Sequence, residues 1–221
     1  MPDPSLAISL LSPEEAHLHM AIRHETFRPT INKILYTREP SQKTLDRVTD
    51  GIKNDIINKG VQFMKCVDQS TGKMVAGARW RYVGPKDSTA KERTWEEVEA
   101  GFIVPEPYDE SDPRIFNQMF TLFNQNKKEI LGARPYYVLD TLVTHPNHHR
   151  RGAGSMLVQW GCERADAKGV EAYVEASSIG EPLYARYGFQ KVREVGIDLR
   201  EFGGGEEMRF SVSVLNVRTS R

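Results

Sequence analysis

Apolar and polar residues follow two different periods along this chain, and these periods predict strands in some stretches and helices in others. A strand is expected where residues are apolar throughout or alternate at every second position, because successive side chains of a strand point to opposite faces of a sheet. Runs of this kind lie at 6–11, 61–67, 74–83, 136–143, 171–176, 191–199 and 208–217.

Helices are predicted where apolar residues return at every third or fourth position. The first begins at Ser12-Pro13-Glu14-Glu15. Ser12 can cap the helix, Pro13 suits its first position, and Glu15 can reach back to complete a capping box with Ser12. It should end before Pro29, and residues 31–40 are expected to be irregular. Further helices are predicted over about 45–59, closed by Gly60, from Asp112 to about Gly132, and from Gly154 to about Lys168. The order of elements includes one more helix between the fifth and sixth strands.

The order of these elements predicts an α/β fold in which helices flank a mixed, mostly antiparallel central sheet. The second and third strands form one hairpin, and the last two strands form another around Gly203-Gly204-Gly205. A length of 221 residues suits one domain, 1–221, with residues 85–135 inserted before the fourth strand.

The insertion contains a helix whose apolar residues include Ile115, Met119, Phe123 and Ile130. Such a stripe is typical of a helix packed on the core. Long insertions in compact domains are also often binding segments, so the insertion could form a lid or a wall of an acceptor site. The two interpretations are compatible, and the sequence leaves both open.

Composition and charge exclude some classes of partner. Lys plus Arg number 30 and Asp plus Glu number 30, so no overall field draws the chain to nucleic acid or to a membrane. No apolar run is long enough to span a bilayer, and the run 6–11 is too short for a secretory signal. Cys66 and Cys162 are expected to be small buried residues rather than a disulfide. We therefore expect a soluble, cytoplasmic protein.

A basic, glycine-containing turn joins the fourth strand to the next helix. The sequence is Arg150-Arg151-Gly152-Ala153-Gly154-Ser155. Glycine lets the backbone approach a ligand closely, the first N–H groups of a helix attract an anion, and arginine suits phosphate oxygens. Neither a Walker loop nor a dinucleotide fingerprint is complete here. Taken alone, the turn is equally consistent with phosphate binding and with an ordinary loop of solvated charges.

A second motif follows the fifth strand and favours phosphate binding as the role of the turn. The chain from 136 to 192 resembles the acyl-CoA-binding half of the GNAT N-acetyltransferase superfamily, which carries Gln/Arg-x-x-Gly-x-Gly/Ala after its fourth strand and Leu-Tyr-x-x-x-Gly-Phe after its fifth. Residues 183–189 match the second motif fully. Gly152 and Gly154 match the first, while His149 stands where the family usually has Gln or Arg.

The resemblance implies that acetyl-CoA is the co-substrate and that no metal is needed. It implies that the phosphates lie against the turn and that backbone N–H groups of the fourth strand, where it splays from its neighbour, polarise the thioester carbonyl. Ser177 falls where many relatives have an asparagine that contacts the cofactor. The implied cofactor-binding residues are Leu142, Val143, Thr144, His149, Arg150, Arg151, Gly152, Ala153, Gly154, Ser155, Ser177 and Tyr184.

Three residues are candidates for proton transfer. The resemblance implies that Tyr184 protonates the departing thiolate; the alternative is an aromatic residue packed beside Phe189. Glu175 and Asp140 lie near the ends of the two central strands, and either could take the proton of the acceptor amine or be a structural hydrogen-bond acceptor. Because no cysteine lies in either motif, direct transfer in a ternary complex is favoured over an acyl-enzyme.

The partner is expected to be an amine, on a small molecule or on a protein, and a homodimer is left open. The rival hypothesis is an acyl-CoA-binding module without catalysis.

His145, His148 and His149 lack the fixed spacing of a metal site, and His149 is expected to offer an N–H to the phosphates. The acidic and aromatic residues of the insertion that suit a cationic amine are Trp95, Glu96, Glu97, Glu99, Tyr108 and Asp109.

Overall fold

A computed structural model describes residues 2–203, 205 and 207–217 of the chain, so Gly204 of the predicted glycine turn lies outside the described residues. Its strands fall close to the predicted runs. They are β1 (Leu6–Leu10), β2 (Gln62–Asp68), β3 (Lys73–Val83), β4 (Tyr136–Thr144), β5 (Glu171–Ser177), β6 (Gln190–Asp198) and β7 (Glu207–Leu215).

All of these strands belong to one sheet in the order β1-β2-β3-β4-β5-β7-β6. β4 and β5 are parallel, and every other neighbouring pair is antiparallel. The predicted mixed, mostly antiparallel sheet is thereby confirmed. The last two strands form the expected hairpin, in which β7 adds to β5 and β6 lies at the edge.

The predicted helices are present, and two short ones appear that periodicity did not predict. The helices are α1 (Ala16–Phe27), α2 (Asn32–Leu35), α3 (Gln42–Lys59), α4 (Trp95–Ala100), α5 (Pro113–Leu131), α6 (Ala153–Lys168) and α7 (Glu181–Arg186). α2 lies in the stretch expected to be irregular. α2 and α4 are too short to show a helical period, although Thr94 and Glu97 form a capping box at the start of α4. None of the helices in the described ranges is long and apolar enough to cross a membrane.

α6 covers one face of the sheet at very close range. The small residues of its inner face allow this approach, and Gly161 leaves room for the indole of Trp80 on β3. The Trp80 Nε1–H donates to the Leu157 carbonyl oxygen at 3.1 Å, so the buried indole is both packed and hydrogen-bonded. Cys162 is also buried on this face, and neither it nor Cys66 forms a disulfide within the described residues.

The other face of the sheet carries α1, α3 and α5. Successive side chains of a strand point to opposite faces of the sheet. On β4, Leu139 packs in the cluster under α6, whereas Val138 packs with Leu131 of α5. α5 is therefore a helix packed on the core. The insertion is also tied to α3, because the buried carboxylate of Glu110 accepts from the Ser41 N–H at 2.9 Å and the Thr44 hydroxyl at 2.6 Å.

The close contact of α6 with β3 generates a stability prediction. Gly161→Ala should lower the free energy of unfolding by about 1–3 kcal/mol, because a Cβ there would overlap the Trp80 ring. Gly51→Ala is the matched control: Gly51 is exposed within α3 with nothing within 4 Å of its Cβ position, so alanine should raise stability by about 0.5–1 kcal/mol. Urea denaturation measures both. Equal stability of the Gly161 variant and the parent would contradict the packing.

Candidate active site

The parallel strands β4 and β5 separate halfway along their length. They pair from Tyr136–Leu139 with Glu171–Val174 and then diverge. Beyond that point β4 pairs only with β3, and β5 continues only against β7. We call the space between residues 140–144 and residues 175–177 the β4–β5 gap.

A β-bulge accompanies the separation. Arg79 of β3 pairs with Thr141 and Trp80 pairs with Leu139, so Asp140 is an extra residue on β4. Leu142, Val143 and Thr144 follow the bulge on the part of β4 that has no β5 partner. The structure thus brings these predicted cofactor-binding residues to a strand edge without a β5 partner, the kind of edge to which an extended ligand can add.

The predicted phosphate turn lies at the open end of the gap. Gly152 has φ 95°, a left-handed conformation suited to glycine, and it directly precedes the first residue of α6. Ala153, Gly154 and Ser155 form the first turn of that helix, where N–H groups lack helical partners. A Cβ on Gly154 would lie 3.4 Å from Leu183 Cδ2 and 3.8 Å from Thr144 Oγ1, so this glycine lies close to both motifs.

The two arginines of the turn have different environments. Arg151 donates to Asp3 Oδ2 at 2.9 Å, Asp68 Oδ2 at 2.7 Å and Ser5 Oγ at 3.0 Å, so it ties the N-terminal segment to the turn. Arg150 is exposed, and its guanidinium has no carboxylate partner among the described residues. Arg150 is therefore the better placed of the two for a phosphate.

The histidines before the turn are engaged locally. The His149 Nε2–H donates to the Thr144 carbonyl oxygen at 2.9 Å. His145 Nδ1 accepts from the Asn147 N–H at 3.2 Å, and His148 Nδ1 accepts from Arg151 at 3.1 Å. Within the described ranges, no group of three or more His, Cys, Asp or Glu residues could hold a metal ion.

Tyr184 lies on α7 and is buried against Phe189, with ring centroids 5.8 Å apart. Burial raises the pKa of its phenol, so the hydroxyl carries its proton at neutral pH. No described residue hydrogen-bonds to that hydroxyl. Ser177 ends β5 and is half-buried, at the same end of the gap.

Asp140 is held by two arginines. Its Oδ2 accepts from Arg79 at 2.6 Å and from Arg81 at 3.1 Å. Burial alone would raise the pKa of this carboxyl, but the charges of Arg79 and Arg81 outweigh burial and lower it to about 2. A carboxylate so strongly stabilised is a poor proton acceptor, and its geometry matches the structural alternative.

Glu175 lies in a different environment from Asp140. It is the first residue of β5 beyond the paired segment, and its side chain is 8% exposed. Its Oε1 accepts from the Tyr173 hydroxyl at 2.8 Å and its Oε2 from Lys127 Nζ at 3.2 Å. Burial raises the pKa of this carboxyl, and Lys127 and Tyr173 partly oppose the rise.

The sequence did not single out Lys127, which comes from the insertion. A signal for it exists, because Lys127 lies four residues after Phe123 and four before Leu131, within the inward-facing side of α5. A lysine at such a position brings a charge toward the core, where it needs a partner.

The acidic residues of α4 that were predicted for the acceptor lie elsewhere. Trp95 contacts Gly132, which places α4 at the end of β4 that is still paired with β5. Glu97 caps α4 and accepts from the Lys86 N–H, and Glu99 pairs with Lys128 at the surface. The structure therefore does not bring these carboxylates to the β4–β5 gap.

Comparisons with known proteins agree with this geometry. Residues 117–191 match the family model of the acetyltransferase (GNAT) domain. A curated acetyltransferase of Stachybotrys chartarum is 32% identical over 60 residues, which are 27% of this chain and 26% of the relative. This match thus spans about a quarter of that relative's own length.

Solved structures share the fold over almost the whole chain. The Drosophila melanogaster polyamine N-acetyltransferase, described as forming N-acetylagmatine, has a TM-score of 0.65 at 12% identity, covering 96% of this chain and 100% of that one. A putative acetyltransferase from Salmonella typhimurium, solved with acetyl-CoA, has a TM-score of 0.58 at 12% identity, covering 98% and 96%. The chain thus shares the fold of these acetyltransferases, and residues 117–191 match the GNAT acetyltransferase domain.

Proposed function

We propose that this protein is an acyl-CoA-dependent N-acetyltransferase that moves an acetyl group from acetyl-CoA to an amine by direct transfer in a ternary complex. The β4–β5 gap is the observation that carries the proposal. It combines an unpaired strand edge and a glycine turn at a helix N-terminus with the buried carboxylate of Glu175, and Tyr184 lies on the helix that follows β5.

The residues present fit a CoA co-substrate. Gly152 and Gly154 add no side chains of their own at the start of α6, where Pro2 packs against Gly152. The first N–H groups of α6 are suited to a diphosphate, and Arg150 is available for charge pairing. The unpaired edge of β4 offers backbone groups to an extended pantetheine, and N–H groups of Leu142, Val143 or Thr144 are the candidates for the thioester oxygen. When bound, acetyl-CoA would supply an activated acyl thioester.

Each of the two proton transfers is assigned to one side chain. A free alkyl amine has a pKa of about 10.4, so it arrives as an ammonium ion and must lose a proton. Glu175 is the proposed acceptor, because its carboxylate is buried at the gap and not neutralised by two arginines as Asp140 is. Tyr184 keeps its proton at neutral pH and is the proposed donor to the leaving sulfur.

The acceptor is proposed to be a small-molecule or protein amine. The polyamine named for the Drosophila structural relative makes alkyl amines the first class to test. A screen should measure thiol release from acetyl-CoA with a panel of alkyl, arylalkyl and peptide amines, beside calorimetry of CoA alone. CoA binding without turnover on any amine would favour a non-catalytic module, and no CoA binding at all would refute the proposal.

The different environments of the two arginines generate one prediction. Arg150→Ala should raise KM for acetyl-CoA several-fold with little effect on kcat or on unfolding. The exposed side chain would bind the co-substrate equally in the ground state and in the transition state, so its loss weakens binding only. Arg151→Ala should instead lower the unfolding midpoint, because Asp3 and Asp68 lose their partner. Steady-state kinetics and thermal unfolding of both variants measure this contrast, and a reversed pattern would contradict the assignment.

A second prediction concerns the proton donor. Tyr184→Phe should lower kcat by about 100-fold while CoA affinity stays within a few-fold, because only the hydroxyl is removed and the ring still packs on Phe189. The control is Tyr187→Phe, whose hydroxyl donates to the Ser155 carbonyl oxygen at 2.9 Å. If kcat of the Tyr184 variant equals that of the parent across alkaline pH, Tyr184 is a packing residue.

A further inference from the structure

Lys127 is a largely buried cation on α5 of the insertion. Its side chain is 15% exposed, although it lies on a helix with abundant solvent-facing positions. Its position between Phe123 and Leu131 along α5 turns it toward the sheet. Burying an ammonium is unfavourable unless it is paired, so the groups that surround Lys127 indicate its role.

Three groups surround the Lys127 ammonium. Nζ lies 3.2 Å from Glu175 Oε2, 5.7 Å from the centroid of the Phe123 ring and 5.8 Å from that of the Tyr173 ring. The carboxylate and the two aromatic faces all attract a cation. Because the Tyr173 hydroxyl binds the other carboxylate oxygen at 2.8 Å, Glu175 is fixed from both sides.

Other charged or titratable groups also act on this pair. Asp140 on β4 disfavours a negative charge on Glu175. Tyr136 on β4 raises the pKa of the Tyr173 phenol and Arg193 on β6 lowers it. Arg193 is itself paired with Glu129 at 2.6 Å. Lys127 is the largest of the effects that favour the ionised form of Glu175, against the burial that disfavours it.

This balance matters because a protonated carboxyl cannot accept the proton of an ammonium ion. We propose that Lys127 is a positioning residue of the acetyl-transfer site: the insertion holds its ammonium against Glu175 and keeps that carboxylate ionised and oriented toward the β4–β5 gap. The inference rests on the proposed function for its kinetic consequence. It gives the insertion a role that the residues at 95–99 do not fill.

The test compares Lys127→Met, which removes the charge, with Lys127→Arg, which keeps it. The acid limb of kcat/KM for a reactive amine should move to higher pH by about 1–3 units in the Met variant, because an opposite charge at this range lowers a carboxyl pKa by that amount. The Arg variant should restore most of the parent profile. An unchanged limb with a uniformly lower kcat would overturn the proposal, since that is the result of a purely structural role.

A second readout does not depend on turnover. In protein labelled with ¹³C at glutamate carboxyls, the Glu175 signal is identified by its loss in Glu175→Gln and followed through a pH titration. It should titrate at higher pH in Lys127→Met, or in Lys127→Gln if the Met variant does not fold, than in the parent. Coincident titrations would overturn the proposal. A shifted titration without thiol release from any amine would instead overturn the proposed function and leave the pairing intact.

Discussion

The separation of β4 from β5 is the constraint on which the rest of the site depends. Two parallel strands that hydrogen-bond only up to Leu139 and Val174 expose backbone groups inside a sheet that is otherwise continuous. The bulge at Asp140 accompanies the divergence, and its side chain is held by Arg79 and Arg81. These ion pairs therefore tie the bulged backbone of β4 to β3 where the strands part.

The two faces of the sheet contribute different parts to the β4–β5 gap. The α6 face provides the helix N-terminus and, through α7, the Tyr184 hydroxyl. The opposite face provides Glu175 and, through the insertion, Lys127. In the proposed function, cofactor binding and proton acceptance are divided between the two faces.

Local signals in the sequence predicted most of the fold. Gly60 and Gly169 end helices in the left-handed conformation, and the apolar periods gave every strand. What the sequence could not show are contacts between distant residues. Arg151 was predicted to bind phosphate, but the fold brings Asp3 and Asp68 to it. The pairing of Lys127 with Glu175 spans 48 residues, and no local pattern encodes it.

The most direct test of the central claim is hydrogen exchange of the backbone amides with and without CoA. If the unpaired edge of β4 and the start of α6 hold the co-substrate, peptides covering 140–144 and 152–156 should gain protection on addition of CoA. A peptide covering Trp95–Ala100 should not change, because α4 lies at the paired end of β4. CoA binding that leaves 140–144 unprotected would contradict the account.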